Sequence, residues 1–262
     1  INIITDFFTE LYSGHDIEDL ENCKFCAIYD YEVNDINAPD EGQNKVHRLI
    51  ESLRVVRPTR ASSTTFVFNV DEQGKLSPQG ASGKSSTVFL VGQVAGETHF
   101  STQDAGKITH YYHCTNKLYN QFEGKYNRVL NAFIFFQLGY LIHYSKLRIV
   151  PFVTVLESLF NTSEQEVGYS LRMRCGSFLR RDAQGKRELI NKIKSIYALR
   201  SSVVHGSSLS KKIINDPEYG DIQLKEAENL CRLCLQKIFD KNLINFFSQS
   251  VDKLSKSLDE FV

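Results

Sequence analysis

The chain is best entered at Ser195 to Gly206, which reads S-I-Y-A-L-R-S-S-V-V-H-G. Ile193, Ile196, Tyr197, Val203 and Val204 recur at spacings of three, four and seven, which is one face of a helix. Arg200 falls on that face, four residues after Ile196 and three after Tyr197. A guanidinium on an apolar stripe needs an acceptor or an anionic ligand, because burying it unpaired is costly. Gly206 is a natural helix stop, so His205 is expected in the last turn. A bland reading exists for the pair: Arg200 in a structural salt bridge and His205 against the helix dipole.

Outward from this stretch, the second half of the chain reads as helix after helix. Apolar periodicity predicts helices over Tyr119 to Tyr144, Val150 to Phe160, Ser163 to Leu179, Lys186 to Val204, Leu224 to Phe239 and Leu243 to Phe261. Ser163-Glu-Gln-Glu166 has the form of a capping box. The first half reads differently. Cys26 to Val33, Thr64 to Val70 and Thr87 to Val91 carry strand signals. Ile1 to Tyr12 and Val46 to Val56 read as helices, Ala38 to Asn44 as a loop and Asp71 to Ser86 as another. The expected class is therefore α+β: a mixed domain over residues 1–116 and a helical bundle over 117–262, with the boundary between Gly106 and Tyr119.

Bulk composition excludes little but points one way. The 262 residues have zero formal net charge, 42% apolar and 24% charged residues, an ordinary globular balance with no global signature of a nucleic-acid binder. Val129 to Ile142, the longest apolar stretch, is interrupted by Asn131 and Gln137. It is shorter than the ~20 residues a membrane span requires. Six cysteines are too few for a disulfide scaffold, which makes a reducing cytoplasm the default expectation. The chain begins at Ile1 rather than Met, so its own start says nothing about a leader.

Charge is nevertheless uneven. Between Arg172 and Arg200 lie nine basic residues against two acidic ones, Asp182 and Glu188. Such a run is either a solvated helix face or a track for a phosphate backbone. Arg172, Arg180, Arg181, Lys186 and Arg187 are the candidates for that track. Other motifs carry less. Cys23/Cys26 and Cys231/Cys234 are two C-x-x-C pairs, too far apart in sequence for a zinc ribbon, and the second pair suits a helix core. Gly80-Ala-Ser-Gly-Lys-Ser85 resembles part of a phosphate-binding loop, but Pro78 stands where the first glycine belongs. His110 and His113 have ligand spacing without a carboxylate or third histidine nearby in sequence, and read as surface histidines. No metal and no cofactor is expected.

The helical half resembles the HEPN superfamily, in particular its ApeA-like branch. The resemblance rests on R-x(4–6)-H near the end of a core helix, met by Arg200-Ser-Ser-Val-Val-His205. Tyr197-Ala-Leu-Arg-Ser-Ser-Val-Val-His-Gly206 is similar to that branch's Y-x-L-R-S-x-x-V-H-G signature. Arg128 to Tyr144 resembles its long first helix, and Pro151-Phe-Val-Thr-Val-Leu-Glu-Ser-Leu159 its apolar second helix. The cover is about Tyr119 to Phe247. The resemblance implies a metal-independent endoribonuclease acting as a homodimer, often in phage defence or toxin systems.

The residue chemistry is compatible with that implication. RNA carries its own nucleophile, the 2′-hydroxyl beside the scissile phosphate. A histidine, with an ordinary pKa near ~6.5, can take that proton and return one to the leaving oxygen. An arginine presents a planar fork of donors to phosphate oxygens as charge builds on them. His205 and Arg200 are the expected catalytic pair. Ser201 and Ser202 are expected to position the phosphate, Tyr197 to stack on a base and Glu157 to partner Arg200. The alternative is a non-catalytic HEPN scaffold that binds RNA or a partner. A third role, nucleotide handling, finds no Gly-Ser-x(n)-Asp-x-Asp signature here.

Overall fold

In the computed structural model, residues 38–59, 61, 64–70, 76–85, 99–122, 127–163, 167–180, 182–205 and 217–260 are described. They fall into two compact units, one of residues 1–50 and 61–87, the other of 51–60 and 88–262. The first unit contains most of helix α1 (Ala38–Val56) and two strands, β1 (Thr64–Val70) and β2 (Leu76–Ser85). The strands pair antiparallel, Thr64 opposite Ser85 and Val70 opposite Leu76, with an irregularity between Val67 and Asn69.

The second unit holds the rest of α1 and helices α2 (Thr102–Phe122), α3 (Arg128–Leu141), α4 (Ile149–Phe160), α5 (Val167–Leu179), α6 (Ala183–His205), α7 (Pro217–Asp240), α8 (Ile244–Phe247) and α9 (Val251–Asp259). A 3-10 turn, Ser145–Arg148, leads into α4.

The expected α+β class is corrected. Every residue of the buried apolar cluster stands on a helix, so the described fold is all-helical in its packing. Thr64–Val70 does extend as its β-formers suggest, but its partner Leu76–Ser85 lies in the stretch read as a loop. Two strands make a ribbon rather than a layer able to carry a core. The Gly80 to Ser85 stretch therefore lies within β2. Cys26 to Val33, Thr87 to Val91 and Ile1 to Tyr12 lie outside the described residues. Further corrections concern ends. Ala38 to Asn44 is the start of α1 rather than a loop, and the long helix expected over Tyr119 to Tyr144 is two, α2 and α3. Gly106 to Tyr119, the expected boundary, lies inside the continuous α2.

α4 is the centre of the bundle. Ile149, Pro151, Phe152, Val153, Val155, Leu156, Leu159 and Phe160 are buried on nearly all its sides, as a helix enclosed by others must be. It packs against α3, α5, α6 and α7. Pro151 lies in its first turn, where a missing N–H breaks no helical bond. The ends are fixed by side chains. Asn127 Oδ1 accepts from the amides of Val129 and Leu130 at 2.9 and 3.1 Å, capping α3. Arg128 Nη1 donates to the carbonyls of Ser158 and Asn161 at 3.1 and 2.7 Å, covering the end of α4. Phe133, Phe136, Tyr140, Phe152, Phe160, Phe178 and Phe247 form the aromatic heart, in tilted and edge-on pairs.

One polar cluster is enclosed with them. Arg232 donates to Glu228, to Tyr140 Oη at 2.8 Å and to the Arg54 carbonyl at 2.9 Å, and Tyr140 donates to Glu228 at 2.6 Å. Arg54 in turn donates to Gln137 Oε1 at 2.9 Å. This ties the end of α1 to α3 and α7. None of the helices among the described residues is long and apolar enough to cross a membrane.

Candidate active site

α6 buries Leu189, Ile193, Ile196 and Leu199, a stripe at spacings of four and three. Arg200 follows this stripe at its edge rather than on its crest. Its side chain is 22% exposed and its Nη2 stands 3.3 Å from Glu157 Oε2, on α4. Glu157 is 18% exposed, and burial raises its pKa, against the lowering pull of Arg200 and of a hydrogen bond from Tyr197. The Arg200 guanidinium carbon lies 5.9 Å from the centre of the Tyr197 ring. That ring rests on α5 at Gly168, where a Cβ would come within 3.2 Å of it. Arg200 and Tyr197 on α6 and Glu157 on α4 thus form one cluster, with Gly168 of α5 against the Tyr197 ring. Arg200 Nε is buried and meets no acceptor among the described residues. A buried donor left without a partner carries a desolvation cost, so the cluster holds Arg200 short of full satisfaction.

His205 is the last residue of α6 and is exposed. Beside it Val204, expected on the apolar face, is 47% exposed, while Val203 packs against the core. Ser202 Oγ donates to the Ala198 carbonyl at 3.1 Å, inside its own helix. Ser201 is half-buried on the same turn. His205 follows Arg200 by five positions, about 140° around the helix axis. Their side chains therefore leave α6 in different directions.

The basic residues are spread. Arg172 lies on α5 over the ring of Tyr169, at 5.1 Å. Arg180 follows the end of α5 and is exposed. Lys186 and Arg187 occupy the start of α6, roughly 20 Å along the axis from Arg200 at 1.5 Å per residue. Arg181 lies outside the described residues. Two members of the run have other work. Arg174 is turned inward, donating to Asp259 at 2.7 Å, the Phe160 carbonyl at 3.0 Å, Thr162 at 2.7 Å and Ser255 at 2.8 Å. Lys192 pairs with Glu226 at 2.9 Å. Charge count alone gives no sign of either, since both are fixed by what α7 and α9 bring against them.

The other sequence candidates have plain surroundings. Cys231 and Cys234 are buried on α7, with Cys231 Sγ 3.0 Å from the Phe152 carbonyl and Cys234 Sγ 3.9 Å from Cys175 Sγ. Burial pushes both thiols well above their ordinary pKa. Cys23 and Cys26 lie outside the described residues. His110 faces Asp240 at 3.5 Å, and no group of three ligand-type side chains suited to a metal occurs among the described residues. No family model matches the chain, and no curated protein or solved structure matches it either.

Proposed function

We propose that the chain is a metal-independent endoribonuclease in which His205 exchanges protons with the 2′-hydroxyl and the leaving oxygen, and Arg200 receives the phosphate. The observation that carries the reading is the state of Arg200: anchored by Glu157 and Tyr197, yet with a buried Nε–H that has no acceptor among the described residues. A guanidinium so placed is positioned before a ligand arrives, the condition for electrostatic stabilisation of a developing oxyanion. The exposed His205 on the same helix supplies the acid–base group.

The two side chains diverge on α6, so the working site combines Arg200 of one chain with His205 of a second copy. A two-fold homodimer is the commonest way to bring such groups together. Exposed Val204 beside His205 supports contact there. Arg172, Arg180, Arg181, Lys186 and Arg187 hold the strand away from the reacting phosphate, and Ser201 supports the phosphate. The resemblance to the HEPN superfamily supports a role in phage defence or a toxin-type system, and the small number of cysteines supports a reducing cytoplasm. Cys114, Cys175, Cys231 and Cys234 as free thiols agree with that compartment.

The Glu157–Arg200 pair by itself would equally suit a non-catalytic HEPN scaffold, and substitution separates the two. His205→Ala should abolish RNA cleavage by at least about a hundredfold, the usual worth of a general acid–base group, with an unchanged melting curve. Arg200→Ala should do likewise with some loss of stability. Cleavage by His205→Ala protein at the wild-type rate would remove His205 from the chemistry, and no cleavage by the wild-type protein would leave the scaffold reading standing.

A further inference from the structure

A carboxylate lies beside the guanidinium that receives the phosphate, and anchoring does not use all of its chemistry. Glu157 Oε2 stands 3.3 Å from Arg200 Nη2 where α4 meets α6, and 18% of its side chain is exposed. The Tyr197 side chain hydrogen-bonds to the same carboxylate. Glu157 is therefore within reach of a ligand on Arg200 without being freely solvated. Burial pushes its pKa above the ordinary 4.5, and Arg200 and Tyr197 pull it back in part. A carboxylate so placed is a stronger base than a solvated one. Charged groups on the neighbouring helices have other partners. Arg128 of α3 is held by the Ser158 and Asn161 carbonyls. On α5, Arg172 lies over Tyr169 and Arg174 is turned to Asp259. Arg232 of α7 is paired with Glu228.

Cleavage through the 2′-hydroxyl needs two proton transfers. The attacking 2′-oxygen and the leaving 5′-oxygen stand roughly in line through phosphorus, on opposite sides of it. On the proposed reading His205 serves both. In the two-copy site of that reading, Glu157 comes with Arg200 from one chain and His205 comes from the other. That arrangement supplies one proton-transfer group for each side of the phosphate.

We infer that Glu157 is a second proton-transfer group, taking the proton of the 2′-hydroxyl while His205 of the second copy protonates the leaving oxygen. The inference rests on the proposed cleavage at Arg200 and His205 and divides its two transfers between two residues. The 2′-O–H bond breaks as the 2′-O–P bond forms, and the proton goes to Glu157. The P–O5′ bond breaks as the imidazolium proton goes to the 5′-oxygen. Both side chains end neutral and return to their starting states by exchange with water, so no further reactant enters. As Glu157 becomes neutral its hold on Arg200 weakens. The guanidinium charge then acts on the phosphoryl oxygens as negative charge builds there.

The test compares wild type, Glu157→Gln, Glu157→Asp and His205→Ala in single-turnover cleavage of a mixed-sequence RNA oligonucleotide across a pH series. Affinity is measured in parallel on the fully 2′-O-methylated copy, which cannot react. Glu157→Gln keeps the shape and an oxygen for Arg200 but cannot take the proton. It should cleave at least about a hundredfold more slowly and bind the methylated copy within about threefold of wild type, a loss in kcat rather than in binding. A base works deprotonated, so the wild-type rate should fall as pH drops through the folded pKa of Glu157, above 4.5. That acid limb should be absent from Glu157→Gln and kept, at a reduced rate, in Glu157→Asp. A Glu157→Gln rate within about threefold of wild type, an acid limb that persists in it, or a loss confined to affinity would overturn the inference. If Glu157→Gln does not fold, a Glu157→Asp rate without an acid limb overturns it equally. Inactive His205→Ala protein in the same series would then leave the proposed cleavage standing without Glu157, whereas wild-type protein that leaves the RNA intact overturns both.

Discussion

Asp104 is fixed by more polar contacts than any catalytic candidate. Its Oδ2 accepts from the Ser101 amide and hydroxyl at 2.8 and 2.9 Å, so the carboxylate reaches back to the residue that precedes α2, one half of a capping box. Arg57 Nη2 meets both carboxylate oxygens at 2.6 Å. The Ser101 bonds first, then Arg57, lower the Asp104 pKa below its ordinary 3.8. A lowered acid stabilises the fold above its unfolded value and loses that contribution as pH falls through the folded one. Asp104→Asn should therefore melt lower than wild type at neutral pH. The gap should close below about pH 3.8, as followed by thermal melts across an acid series. A gap independent of pH would contradict the charge-based account. None of this was legible in the sequence, where Asp104 is one of many acids. Arg200 was legible, because a charge on an apolar stripe is rare enough to require an explanation. Glu157 was legible only as a candidate, since its pairing depends on how α4 crosses α6.

Helices were read well where burial of one side writes a period into the sequence, as in α6 and α7, and where an apolar run encloses the whole helix, as in α4. α4, α6 and α7 match their expected spans to within a few residues at most ends. The misses have local causes. Ala38 to Asn44 contains Pro39 and Gly42, read as turn residues, yet Pro39 lies in the first turn of α1, where proline is accepted. The division of α2 from α3 was hidden because aromatic residues continue through it, and it was Asn127 that marked a new cap. β2 is poor in β-formers and carries two glycines, so it had no strand signature. A close helix contact was equally hidden. A Cβ on Gly139 of α3 would lie 2.5 Å from the Phe152 ring on α4, and Phe152 is fully buried. Gly139→Ala should cost about 1–3 kcal/mol, the usual penalty of overpacking a core, read by urea denaturation. An unchanged midpoint would mean that α3 and α4 have room the packing does not show.

At the scale of the molecule, the account requires two copies. Arg200→Ala and His205→Ala proteins should each be inactive, and a mixture that has exchanged subunits should regain part of the wild-type activity. Verified mixed dimers without activity would place both groups in one chain. The α+β expectation failed at this scale for a physical reason. Strand-forming residues can satisfy their backbone in a single ribbon, and a sequence does not state whether further strands will join it. The helical half was legible because its core, from Val129 to Leu258, is built from helix faces alone. The central claim is RNA cleavage through the RNA's own 2′-hydroxyl, and its most direct measurement is end-group analysis of RNA incubated with the protein in EDTA. Fragments with 2′,3′-cyclic phosphate and 5′-hydroxyl ends, absent when His205→Ala protein is used, are the predicted result. Cleavage only after magnesium is added, leaving 5′-phosphate ends, would contradict it.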